Sequence, residues 1–121
     1  MGVFICDHVR IDSGYANLIT IEENVHITGG CRLLCHQRSL FTYRKGDDAS
    51  KLRYKVGKIH LKKGCMIGIE SLIMPRVTIG EGAIIGAYSL VTKDIPEWTI
   101  ESGRPTKVIK QIHERNLIRH K

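Results

Sequence analysis

The chain has 121 residues, with 19 Lys and Arg against 12 Asp and Glu, a formal net charge of +7. That length holds one domain and leaves no room for a second core. No apolar run reaches membrane-spanning length, and the start at Met1–Asp7 lacks the charged region and long apolar middle of an export signal. The positive balance favours anionic partners. Two Phe, four Tyr and one Trp, with no basic–aromatic interleaving, argue against a stacking platform for nucleic-acid bases. A phosphorylated small molecule or an acidic polysaccharide suits the charge equally well. The four cysteines show no disulfide spacing, so a reducing, cytoplasmic setting is the expectation.

In chain order, the first signal is a count in sixes. Ile5 and Ile11 begin it, an irregular stretch interrupts it through Asn17–Thr20, and Ile21, Ile27 and Leu33 resume it. From Leu61 it runs unbroken through Ile67, Ile73, Ile79, Ile85 and Val91. Four residues after each of these six lies a compact side chain: Cys65, Ser71, Val77, Ala83, Ser89 and Ile95. Val9, Tyr15, Val25 and Cys31 hold that position upstream. An α-helix turns about 100° per residue, so six steps carry a side chain to the opposite face. A three-sided coil of short strands and corners keeps every sixth residue inside. The spacing therefore predicts an all-β fold, a hexapeptide-repeat parallel β-helix, with coils over 3–37 and 61–96. Asn24, Gly29, Gly30, Gly64 and Gly82 fall near its corners, where positive φ costs Gly little and Asn not much more.

Residues 38–60 break the count and carry Arg38, Arg44, Lys45, Lys51, Arg53, Lys55 and Lys58. They read as an external loop thrown from one corner, longer than a connection needs. After Ile95-Pro96, residues 105–118 read as a helix, with Pro105 in its first turn and Val108, Ile109, Ile112 and Leu117 on one side. Such a helix would cover the open end of the coil. The N-terminal end has no comparable cover, which implies oligomerisation or an abbreviated design.

The stretch Ile67-Gly-Ile-Glu-Ser-Leu-Ile-Met-Pro-Arg-Val-Thr-Ile-Gly-Glu-Gly-Ala-Ile-Ile-Gly-Ala-Tyr-Ser-Leu-Val-Thr-Lys-Asp-Ile-Pro, continued by Gly103-Arg-Pro-Thr-Lys-Val-Ile, resembles the hexapeptide-repeat acyltransferases. Within them it is most similar to the maltose, galactoside and polysaccharide O-acetyltransferases. The resemblance implies left-handed coils, a homotrimer, and acetyl-coenzyme A lying in the groove between neighbouring prisms. Asn24–His36 is similar to the family stretch that ends in a catalytic histidine, which makes His36 the expected general base. Removing a hydroxyl proton near neutrality needs a base of about that pKa. By the same resemblance, Gly68, Ile69 and Ala87 form the wall beside the pantetheine arm, and the Ile69 N–H serves the oxyanion. Thr92 and Lys93 meet the pantetheine–phosphate region, and Lys107 and Lys110 hold the nucleotide phosphates. Asp12 is the expected acceptor-binding carboxylate.

Gln37 and Cys6 depart from the family pattern, where Asp or Pro and Asn are frequent; both departures bear on the choice of acceptor. His8, His26 and His60 have no motif support, and the six histidines offer no close pair for a metal, so no metal is expected. The expectation is an O-acetyltransferase acting on a sugar or glycan precursor. The rivals are an inactive trimeric scaffold and an N-acyltransferase of amino sugars.

Overall fold

The computed structural model of the chain describes residues 2–38 and 42–115. Strands of two or three residues alternate with corners and wind into a three-sided prism. The first coil contains β1 (Phe4–Ile5), β2 (Arg10–Ile11) and β3 (Ile19–Ile21). The second contains β4 (His26–Ile27) and β5 (Arg32–Leu33), then leaves the prism through β6 (His36–Arg38) and β7 (Tyr54–Val56) before β8 (Ile59–Leu61). The third contains β9 (Met66–Ile67), β10 (Leu72–Ile73) and β11 (Thr78–Ile79), and the fourth β12 (Ile84–Ile85) and β13 (Leu90–Val91), closed by a bridge from Ile95 to Ile79. The chain ends its described part in β14 (Thr99–Gly103) and β15 (Thr106–Gln111). The parallel β-helix is the one the repeats predict, and its left-handed winding, opposite to the usual crossover of parallel strands, is the one the family resemblance implies.

Like residues stack because the pairing is parallel and in register. Face 1 aligns Ile5, Ile27, Ile67 and Ile85. Face 2 aligns Ile11, Leu33, Ile73 and Val91, and face 3 aligns Ile21, Leu61 and Ile79. Every expected inward residue from Leu61 to Ile95 is at most 3% exposed. In the first coil, by contrast, Ile5 is 48% exposed and Val9, Ile11, Tyr15 and Ile21 are only partly buried, because one coil rather than two packs against them. The irregularity near Asn17 is a 3₁₀ segment, Ser13–Leu18, that absorbs extra residues between β2 and β3.

Asn24, Gly30, Gly64 and Gly82 adopt positive φ at corners, as the sequence predicts. His8, Glu70, Arg76, Tyr88 and Trp98 do so too, against the ordinary preference of their side chains. The repeat geometry overrides residue preference at these corners.

Two elements differ in detail from expectation. The external loop is a β-hairpin arm: β6 and β7 pair antiparallel, with His36 opposite Val56 and Arg38 opposite Tyr54. A 3₁₀ turn at Ala49–Lys51, where Asp48 Oδ1 accepts from the Ser50 N–H at 3.0 Å, sits beyond them. The helix expected over 105–118 is not formed where its residues are described. Thr106–Gln111 is β15, antiparallel to β14, and it extends face 1. A helix would leave the last edge of face 1 unpaired, and the β-branched Thr106, Val108 and Ile109 suit an extended chain better than a helical one. The rest of that prediction, including Leu117, lies outside the described residues.

Candidate active site

The edge joining faces 2 and 3 is where the coil is interrupted, in coil one by the 3₁₀ segment and in coil two by the arm. Asp12 follows β2 at this edge, and its N–H donates to the Leu33 carbonyl of the next coil at 3.0 Å. His36 opens β6 one coil above. Asp12 Oδ2 accepts the Cys35 N–H at 3.1 Å and lies 2.5 Å from His36 Nδ1. A carboxylate only accepts, so Nδ1 carries the proton, and in the neutral imidazole Nε2 holds the lone pair. The Asp12 side chain is 10% exposed and that of His36 35%, so the carboxylate is sheltered while the ring reaches solvent.

Two aromatic rings hold the imidazole. Tyr15 lies 5.1 Å away from one side, tilted by 40°, and Tyr54 stands 5.3 Å away edge-on at 70°. Tyr54 is itself fixed by Arg38, whose guanidinium lies 4.8 Å above its ring and donates to its hydroxyl at 3.2 Å. Arg38 Nη1 reaches the carbonyls of Ala49, Ser50 and Leu52 at 3.3, 3.0 and 3.1 Å. The arm is thus laced to its own base and presents Tyr54 to His36.

Sequence reasoning missed Tyr15, Tyr54 and Arg38 as a group. Tyr15 counted as an inward repeat residue, and the arm has no periodicity to read. Asp12, expected to hold an acceptor, contacts His36.

The remaining expected residues fall in three places. Gly68, Ile69 and Ala87 lie on the edge between faces 1 and 2. A Cβ at Gly68 would meet Ile85 O, the Gly86 carbonyl carbon and Ala87 N at 2.6 Å, so the close stacking of coil four demands glycine there. Ile69 is 46% exposed, and its carbonyl accepts the Tyr88 N–H at 2.8 Å. Thr92 and Lys93 are exposed on the edge of His36, two coils further along. Lys107 and Lys110 lie on β15. In a regular strand, residues three apart face opposite ways. The bulge between Ile100 and Glu101 of the pairing places Lys107 opposite Ser102 and Lys110 opposite Ile100, on one outward face.

A second histidine–carboxylate pair occurs on face 3, where His60 Nε2 lies 2.5 Å from Glu22 Oε2. The Lys63 N–H donates to Glu22 Oε1 at 2.9 Å and, together with His60, holds the Glu22 carboxyl below its usual range. Among the described residues no aromatic ring packs on His60 as Tyr15 and Tyr54 do on His36.

The three buried thiols are not chemical candidates. Burial pushes Cys65 up to about 12 and raises Cys31 and Cys35, leaving them as small core hydrophobes. Among the described residues no three His, Cys, Asp or Glu side chains gather as a metal would require, and no helix is long and apolar enough to cross a membrane. A 370 Å³ depression lined by Trp98, Ile112, His113 and Glu114 lies at the end of the coil away from His36.

Comparison with known proteins places the fold in a class. Residues 58–93 match the family model described as bacterial transferase hexapeptide (six repeats). Over 58 residues the chain is 47% identical to a Staphylococcus aureus (strain COL) protein that bears an acetyltransferase name; this covers 48% of the chain and 29% of that protein. Over 57 residues it is 44% identical to the chloramphenicol acetyltransferase of Klebsiella aerogenes, covering 47% and 27%. The match thus spans about three-tenths of the length of these curated relatives.

Among solved structures, AntD, an N-acyltransferase from Bacillus cereus in complex with dTDP and 3-hydroxybutyryl-CoA, superposes with a TM-score of 0.79 at 26% identity, over 93% of this chain and 61% of AntD. A maltose O-acetyltransferase from Clostridium difficile 630 gives 0.74 at 26%, over 93% and 68%. The chain is similar to hexapeptide-repeat acyltransferases in sequence across its repeats and in fold across nearly all its length.

Proposed function

We propose that this chain moves an acetyl group from acetyl-coenzyme A to a hydroxyl of a sugar or glycan precursor, with His36 as general base. The observation that carries this reading is the Asp12–His36 contact at 2.5 Å. It holds the tautomer whose Nε2 accepts a proton, in an aromatic-walled recess at a broken corner. His36 Nε2 takes the hydroxyl proton as the acceptor oxygen bonds to the thioester carbonyl carbon. The carbon–sulfur bond then breaks, coenzyme A leaves as the thiolate, and the proton on Nε2 passes to it. Asp12 orients the ring and stabilises the imidazolium rather than binding the acceptor, in the manner of the third member of a nucleophile triad. The exposed face of Tyr54 offers a surface for stacking a sugar ring.

The likeness to structures solved with coenzyme A supports the donor, and the outward pair Lys107 and Lys110 suits its phosphates. Placement supports assembly with further copies of the chain, a homotrimer in this reading. His36 and the Gly68–Ile69–Ala87 wall lie on opposite edges of face 2, about six residues of extended chain apart. A neighbouring prism is needed to bring one chain's wall, and the Ile69 N–H as oxyanion donor, to another chain's base. Free thiols at Cys6, Cys31, Cys35 and Cys65 suit a cytoplasmic setting.

Transfer to the amine of an amino sugar is the second reading, favoured by the AntD likeness, and the same base serves it. Assay of purified His36→Ala with hydroxyl and amino sugars tests both. Turnover is expected to fall roughly two to four orders of magnitude with the oligomer intact. Near-normal turnover removes His36 from the reaction, and the preferred acceptor separates oxygen from nitrogen transfer.

A further inference from the structure

Resting on the transfer reading above, we propose that the outer surface of face 2 beside His36 binds a phosphate or diphosphate group carried by the acceptor. Ile11 and Leu33 point inward, so Arg10 and Arg32 point outward, and the register sets them directly opposite on adjacent strands. Both are exposed, and among the described residues neither makes an ion pair. Two like charges facing each other at the roughly 4.8 Å spacing of neighbouring strands are unfavourable alone. Two adjacent guanidinium forks are, however, well matched to the several oxygens of a phosphoryl group.

The surface continues into a built depression of about 240 Å³, lined by Arg32, Glu70, Leu72, Ser89, Leu90 and Arg104. Arg104, in this lining, donates from Nε to the Tyr88 carbonyl at 2.6 Å, with its guanidinium 5.9 Å from the Tyr88 ring centroid. Glu70 is the one carboxylate in this lining. It lies over Gly30, where an added Cβ would meet its Oε2 at 1.9 Å, and it makes no ion pair with Arg32 or Arg104.

Distance ties this surface to the base. Arg10 precedes Asp12 by two residues and Arg32 precedes His36 by four, about 7 and 13 Å of extended chain. Both spans lie within reach of long side chains, so an anion held here sits close to the hydroxyl that His36 deprotonates. Lys107 and Lys110 belong to a different face: they lie on the last strand of face 1, while Arg10 and Arg32 lie on face 2.

The test uses the full chain and inorganic pyrophosphate as probe. Pyrophosphate is expected to raise the melting temperature by several degrees, and Arg10→Gln and Arg32→Gln are each expected to abolish that rise. A Lys107→Ala/Lys110→Ala double variant is expected to keep it. In anion-free buffer each Arg→Gln variant is expected to melt no lower than the parent, because a repulsion has been removed. In the kinetic arm, a sugar phosphate is expected to exceed the neutral sugar roughly 10- to 100-fold in kcat/KM, a preference lost in Arg32→Gln with the KM for acetyl-coenzyme A unchanged. Free pyrophosphate added to the neutral sugar does not restore the preference if the group belongs to the acceptor. Protection by pyrophosphate that survives both Arg variants, or is lost only in the Lys variant, overturns the site. So does a fall in oligomer mass for Arg32→Gln without any pyrophosphate response, which would assign the arginines to a neighbouring copy. Arginine-dependent protection with no transfer to any acceptor leaves the anion site standing and removes the catalytic reading instead.

Discussion

Coils three and four and coils one and two share one register, yet they do different work. In the later pair the count in sixes is unbroken, and its inward residues are sealed from solvent. In the earlier pair the edge between faces 2 and 3 is opened twice, by the 3₁₀ segment and by the arm. Those two insertions bring Asp12, Tyr15, His36 and Tyr54 together. Regular repeats supply a stiff, self-stacking post, and in the function proposed above the departures from them carry the chemistry. The post matters to the site because coil-to-coil bonds such as Asp12 N–H to Leu33 O fix the height of Asp12 against His36.

Truncation of the core tests this contrast most forcefully. Ile73 is fully buried between Leu33 and Val91, whereas Ile11 has a coil on one side only and is partly buried. Ile73→Ala is expected to cost roughly 2–5 kcal/mol, and Ile11→Ala about 1 kcal/mol. Chemical denaturation at one fixed protein concentration measures both. Equal losses would mean that the first coil is buttressed as firmly as the third, and the proposed division would fail.

Asp12→Asn acts on the other half. An amide can offer its NH₂ to Nδ1, which selects the tautomer with the proton on Nε2 and blocks the base. Turnover is expected to fall about 10²- to 10⁴-fold with little change in stability. Adding Asp12→Asn to His36→Ala is expected to cost nothing further, since the two act as one unit. Additive losses would return Asp12 to the acceptor-binding role its position first suggested.

The prism was legible because its cause is periodic: an aliphatic residue every sixth position has no other way to be buried. The role of His36 as base is a proposal, but its place at the end of a count was legible. Its partner was not, because Asp12 and His36 are brought together by coil stacking across an insertion whose length the repeat does not set. Tyr54 was hidden for the same reason, since only the antiparallel pairing of β6 with β7 returns it to His36. The C-terminal strand was misread as a helix because Val108, Ile109 and Ile112 fit a helical stripe, while the vacant edge of β14 that recruits β15 is a tertiary fact. Corner residues such as Tyr88 and Trp98 violate local preference and carry no local warning.

The smallest expected effect sharpens the contrast between the two histidine–carboxylate pairs. Glu22 and His60 repeat the 2.5 Å contact of Asp12 and His36, but their side chains are 39% and 37% exposed and the pair lies on an uninterrupted face. Its role is to tie coil one to coil two. The Lys63 N–H and then His60 lower the Glu22 carboxyl in the folded chain, so folding favours its ionised form. The stability this contributes is present above the unfolded-state value of 4.5 and is lost as pH falls through the lower folded value. Glu22→Gln is therefore expected to melt slightly below the parent at pH 7. The gap should narrow with added salt, as exposed pairs are screened, and close on acidification below about pH 4.5. Acetyl transfer by Glu22→Gln is expected to match the parent throughout. A large loss of turnover at neutral pH would show that a regular face also carries chemistry, and that the broken edge is not the sole seat of it.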